Sequence, residues 1–203
     1  MLQTLIEAHA ASLDLYADLS GEGASIQGVT DFFPGLRPRV RIDAGLASES
    51  NREVRLRTTL AHEFAHVHLH DSLFQMERKQ IDLFASPMSQ QTESTGGHAE
   101  QASAFARCKR ETIVGAPPTD WMEWQAGYVC GALLMPRRLL KEIVHRQLRA
   151  SKHLEALEIG SALGRQLTEQ VASTFFVSTE AARVRLKVLG LAVDKRVERS
   201  LFE

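Results

Sequence analysis

The segment "VRLRTTLAHEFAHVHLH", Val54 to His70, contains no glycine or proline and carries four of the chain's eight histidines. Val54, Leu56, Leu60, Phe64, Val67 and Leu69 recur near helical spacing, which predicts a helix from about Glu53. On such a helix His62 and His66 stand one turn apart on a common face, so two imidazoles can reach one tetrahedral metal ion. Glu63, roughly 100° around the helix, is badly placed as a ligand but can reach a water held by the ion. Zinc lowers that water's pKa towards 7, and a neighbouring carboxylate can take its proton during attack on a polarised carbonyl. The pattern His62-Glu63-Phe64-Ala65-His66 therefore makes Glu63 a candidate general base and the two histidines candidate ligands.

A catalytic zinc needs a third protein ligand and one open position. His68 lies about 200° from His66 and faces away. His70 is on the nominal face, yet two histidines eight residues apart are separated by about 12 Å along the axis and cannot share an ion. His68 reads as solvated or at the core edge, and His70 as support for a ligand or as packing. The leading third ligand is Glu123 in "DWMEWQAGYVCGALLMP", a charge on an apolar segment where burial is costly unless it is paired or bound to metal. A plain first-turn glutamate favoured by the helix dipole is the competing explanation. Glu100, Glu111 and His98 are rival ligands.

Around these motifs the chain reads as mixed α and β. Residues 2–17 are expected to form one amphipathic helix, followed by the β-leaning runs "SIQGVTDFF" and "RPRVRID", in which Val40 and Ile42 alternate with charged neighbours. Residues 84–103 are expected to be a polar loop and "AFARCKRETIV" a strand. Asp120 is placed to cap a buried helix that Pro136 closes, with Trp121, Trp124 and Met135 as core. Short helices follow. The last pair, "GRQLTEQVASTFF" and "TEAARVRLKVL", is expected to take Ser178 as N-cap and Gly190 as its stop.

These residues together resemble the ImmA/IrrE family of intracellular zinc metallopeptidases, whose hallmark is an HExxH helix followed by a second helix of the form E-x-x-A-N-x-F-A-x-x-L-L-M-P. "RLRTTLAHEFAHVHLH" and "MEWQAGYVCGALLMP" carry the likeness, which extends over about residues 25–190. Gly127 stands where that family often has Asn, and Cys130 where it has a small residue. The resemblance implies His62, His66 and Glu123 as ligands of one Zn2+, for which Mn2+ can substitute in vitro, and Glu63 as base. It implies an α+β, zincin-like domain over 1–150, with a small sheet packed on the HExxH helix and the second ligand helix, and a helical, helix-turn-helix-like subdomain over 151–203. It also implies limited proteolysis of a helix-turn-helix repressor in stress response or mobile-element control.

Charge supports no bulk attraction to nucleic acid or membrane, since the net value is −1. It is uneven: residues 1–136 hold 11 Lys and Arg against 17 Asp and Glu (−6), and residues 137–203 hold 13 against 8 (+5). Arg183, Arg185 and Lys187 on the last helix admit direct DNA binding, although a packed bundle with solvated basic residues is favoured. The alternative function is thus a non-catalytic regulator that binds DNA or a repressor around a structural zinc. Cys108 and Cys130 form no CxxC pair; both read as ordinary reduced thiols, although Cys108 could in principle approach the metal. With no basic leader and no long apolar run, the expectation is a soluble cytoplasmic protein.

Overall fold

Two stretches with alternating apolar and polar residues, 12–17 and 39–43, become neighbours in one four-stranded sheet. In this computed structural model, which describes residues 1–23, 25–33, 35–49, 52–84, 104–109, 120–152 and 157–194, the first strand is β1, Ser12–Ala17. It pairs in parallel with β3, Arg39–Asp43, through Leu13 opposite Val40. Strand β2, Ile26–Phe32, runs antiparallel to β3, and β4, Ala104–Lys109, runs antiparallel to β2. The order is β1-β3-β2-β4. Of the expected loop over 84–103, residue 84 ends a helix, Glu53–Phe84, and 85–103, with His98 and Glu100, lies outside the described residues, as do Glu111 and the side chain of Cys108.

The expected helix over 2–17 is a helix only in its first half, α1, Leu2–His9. From Ser12 the chain is extended, with Leu13, Leu15 and Ala17 turned inward and Ser12, Asp14 and Tyr16 outward. Leu13 and Leu15 are two apart, a period that suits a strand, and a parallel edge against β3 settles the ambiguity. A short helix α2, Ala44–Ser48, then leads towards α3, Glu53–Phe84.

Helix α3 lies against the sheet. Leu60 and Val67 join Ile6, Ala10, Val40, Ile42 and Leu46 in one buried cluster that ties α1, α2, α3 and β3 together. On β2 the side-chain period of two assigns the faces. Thr30 and Phe32 turn to α3, where the Phe32 ring stacks on Phe74 with centroids 4.4 Å apart. Val29 packs with Ala17, Leu19 and Ile26, and Asp31 holds Arg41 through bonds of 2.8 and 3.0 Å, with Glu22 3.1 Å from the same guanidinium.

Helix α4, Trp121–Leu134, begins at the expected cap: the Glu123 backbone N–H donates to Asp120 Oδ1 at 3.3 Å. The expectation that this helix is buried on most sides needs correction. Glu123, Ala126, Cys130 and Leu134 form its buried face, while Trp121 and Trp124 are 49% and 52% exposed. Spacing explains it, because Trp121, Trp124 and Tyr128 follow one another at i, i+3 and i+7 along another face.

Contacts divide the chain into two units, Met1–Ala126 and Gly127–Glu203, a division that falls within α4. In the second unit α5, Arg137–Ala150, α6, Ala162–Phe175, and α7, Thr179–Val188, bury Leu140, Val144, Leu167, Val171, Ala182 and Leu186. Ser178 caps α7 by accepting from the Ala181 N–H at 3.1 Å, and Gly190 follows it in the left-handed region at φ +65°. Arg185 is buried, its guanidinium 5.4 Å from the Tyr128 ring centre, and Arg183 and Lys187 both reach Asp194. Burial pushes the Cys130 thiol up to about 12, which leaves it chemically inert near neutrality.

Ser161 caps α6 by accepting from the Gly164 N–H at 3.0 Å, and that turn presses Gly164 against the preceding chain. A Cβ at position 164 would collide with the Glu158 carbonyl oxygen and crowd the Ile159 backbone. Gly164→Ala should therefore destabilise the protein by about 1–3 kcal/mol in chemical denaturation, despite alanine's better helix propensity.

Candidate metal centre

Two helices build the site. The four-residue step on α3 stacks His62 above His66, and both rings turn to α4, whose first turn carries Glu123. His62 Nε2 lies 3.0 Å from Glu123 Oε2, His66 Nε2 lies 3.1 Å from Glu123 Oε1, and the two Nε2 atoms are 3.1 Å apart. His62 and His66 have no solvent exposure and Glu123 has 5%. Ligand atoms around a tetrahedral zinc with bonds near 2.0 Å stand about 3.3 Å apart, close to the spacing found here. These are the described residues whose donor atoms gather closely enough to hold a metal ion.

The donor set suits a cation for an electrostatic reason as well. Burial lowers the His66 pKa to about 4, outweighing the opposing bond to Glu123, so its ring is neutral at pH 7. Burial works to raise the Glu123 carboxyl, but the bonds to His62 and His66 prevail and hold it well below the usual carboxylate range. The cluster is therefore an anionic carboxylate beside neutral imidazole in a dry place, an arrangement costly without a compensating positive charge.

Glu63 occupies a different part of α3's circumference and is not among the clustered donors. It faces β2 and is fully buried. The Thr30 hydroxyl donates to Glu63 Oε2 at 2.5 Å, which fixes that oxygen. Two residues earlier on the same face of β2, Gly28 leaves room for the rest of the carboxylate: a Cβ there would stand 2.5 Å from Glu63 Oε1 and 2.9 Å from its Cδ. Neither Thr30 nor Gly28 stands out in the sequence as a site residue. Their only signal is the i, i+2 spacing on a strand that runs beside the HExxH helix.

The remaining histidines separate cleanly. His68 is exposed and stacks on Phe64, with centroids 5.6 Å apart, and stands edge-on to His9. His70 is fully buried beside His66 and below Trp121, whose ring meets it edge-on at 5.6 Å. Compared with models of known protein families and with curated protein sequences, the chain matches none.

The cluster sets a measurable expectation. The protein should take up one equivalent of zinc, and Glu123→Ala should weaken that binding at least about 10-fold, read by competition with a chromophoric chelator. Unchanged affinity in the variant would remove Glu123 from the ligand set.

Proposed function

We propose that the chain is a zinc-dependent endopeptidase with a zincin-like catalytic domain of the ImmA/IrrE kind. The observation that carries this reading is Glu63, a buried carboxylate beside the donor cluster but outside it, held in place by Thr30 and admitted by Gly28. A site that only staples a fold has no use for such a group. His62, His66 and Glu123 would hold the ion, leaving a coordination position for water and substrate. When bound, zinc supplies Lewis acidity that brings the pKa of a water towards 7 and polarises a carbonyl. Glu63 then takes the proton from the attacking water and returns it to the departing amine. The Thr30 hydroxyl, by engaging Oε2, keeps the carboxylate from turning away between these two steps.

The intended substrate class follows from the resemblance: a helix-turn-helix repressor, cut once in the cytoplasm to release its target genes. The competing reading makes the chain a regulator that binds DNA through α7 around a structural zinc. Against it, Arg185 is buried and Arg183 and Lys187 are engaged by Asp194, so the three cations are committed within the chain. No helix among the described residues is long and apolar enough to cross a membrane.

The test is incubation of the zinc-loaded protein with the helix-turn-helix regulator encoded beside it, watching for one discrete cut. Glu63→Gln should retain zinc while losing about 100- to 10,000-fold in cleavage rate. Cleavage by Glu63→Gln at the native rate would refute the mechanism. Gly28→Ala should act in the same direction by displacing the Glu63 carboxylate, lowering turnover with the zinc content unchanged.

A further inference from the structure

His70 is fully buried, yet it takes no part in the three-donor cluster. The four-residue step along α3 sets its ring beside that of His66, with His70 Nδ1 2.9 Å from His66 Nδ1. Its other nitrogen, Nε2, lies 3.2 Å from Gln125 Oε1. Gln125 sits two positions after Glu123 on α4, so the helix that supplies the carboxylate also supplies this amide.

This chain of contacts has an acceptor at each end, the Gln125 amide oxygen and the Glu123 carboxylate. Two neutral rings carry two hydrogens for its three contacts, so with a cation filling the contact between His66 Nε2 and Glu123 each hydrogen has one place to be. An amide oxygen only accepts, so His70 Nε2 carries its hydrogen and donates to Gln125. A neutral ring protonated at Nε2 has a bare Nδ1, which can only accept. The neighbour at 2.9 Å must then donate, which puts the hydrogen of His66 on Nδ1. His66 Nε2 is left with its lone pair, and that is the atom lying 3.1 Å from both His62 Nε2 and a Glu123 oxygen. We propose that His70, oriented by Gln125, is a positioning residue that fixes the tautomer of His66 and aims His66 Nε2 at the metal ion. The inference rests on the metal-binding half of the function proposed above and is indifferent to whether hydrolysis follows.

The proposal explains why the amide and the third imidazole are there. A metal-bound histidine is ordinarily braced through its second nitrogen by a carboxylate, a carbonyl or water. Here a second histidine takes that place and passes the demand on to a glutamine. His62 differs: its Nδ1 is buried and has no hydrogen-bond partner among the described residues. Of the two histidine ligands, His66 is therefore the one held from both sides, and loss of its brace should be felt in metal affinity.

Two readouts test this on the full chain. The first is long-range proton–nitrogen NMR of the histidine rings in the zinc-loaded protein. It should show His66 protonated at Nδ1 and coordinated through Nε2, and His70 protonated at Nε2. A His66 coordinated through Nδ1, or a His70 protonated at Nδ1, would overturn the proposal. The second is zinc affinity by chelator competition. His70→Leu should bind zinc about 10- to 100-fold more weakly. His70→Asn, whose amide oxygen can accept where Nδ1 did, should recover most of that loss. Gln125→Leu should weaken binding in the same direction, and Gln125→Glu, which keeps the acceptor, should not. Folded His70→Leu protein with native affinity would overturn the proposal, and if that variant does not fold, the NMR result and the Gln125 pair decide. Failure of the native protein itself to bind zinc would sink the metal-centre reading and this proposal together, an outcome distinct from a loss confined to the His70 and Gln125 variants.

Discussion

A carboxylate held within about 3 Å of two buried imidazole nitrogens is the constraint from which the rest of the first unit follows. Glu123 reaches His62 at 3.0 Å and His66 at 3.1 Å where water has almost no access. Such a grouping gains from a positive charge, because a buried carboxylate beside neutral imidazoles has lost most of its solvation. A metal ion held there would meet that demand and offset the desolvation cost. The apolar cluster of α1, α2, α3 and β3 holds one side of the arrangement. The first turn of α4, capped by Asp120, holds the other.

The two working faces of α3 are then served by different elements. One face, with His62, His66 and His70, looks to α4 and finds Glu123 and Gln125. The face with Glu63 looks to β2 and finds Thr30 and Gly28. The separation matters chemically. Donors to a cation should be crowded together, whereas a base should sit beside them without being drawn in as a ligand. A hydroxyl bond at 2.5 Å to Glu63 Oε2 restrains the carboxylate from swinging into the donor set. The sheet therefore does more than cover the helix: its period of two delivers a hydroxyl and an open space to successive points along one carboxylate.

Much of this was readable in the residues, and the exceptions have physical causes. His62, Glu63 and His66 announce themselves by spacing on a strongly patterned helix. Glu123 is visible as a charge amid apolar neighbours, although only the fold shows it meeting the histidines. The β1 strand was hidden because Leu13 and Leu15 also extend the apolar pattern of α1, and only a parallel partner 27 positions away selects the extended form. Trp121 and Trp124 read as core because their helix is apolar on most sides, whereas their common face on α4 is half-exposed. His70 lies too far along the helix to share an ion with His62, which leaves support for a ligand or packing, and spacing alone does not choose between them. The contact of His70 Nδ1 with the second nitrogen of His66 is visible only in the fold. Gly28 and Thr30 carry no motif at all, and their contribution exists only once β2 lies against α3.

The measurement that bears most directly on the account is anomalous diffraction at the zinc edge from crystals of the zinc-loaded protein. The account predicts one strong peak bonded to His62 Nε2, His66 Nε2 and a Glu123 carboxylate oxygen, with no fourth protein ligand and with Glu63 outside the bonded set. A peak elsewhere, a zinc enclosed by four protein ligands, or one ligated by Glu63 in place of Glu123 would contradict it.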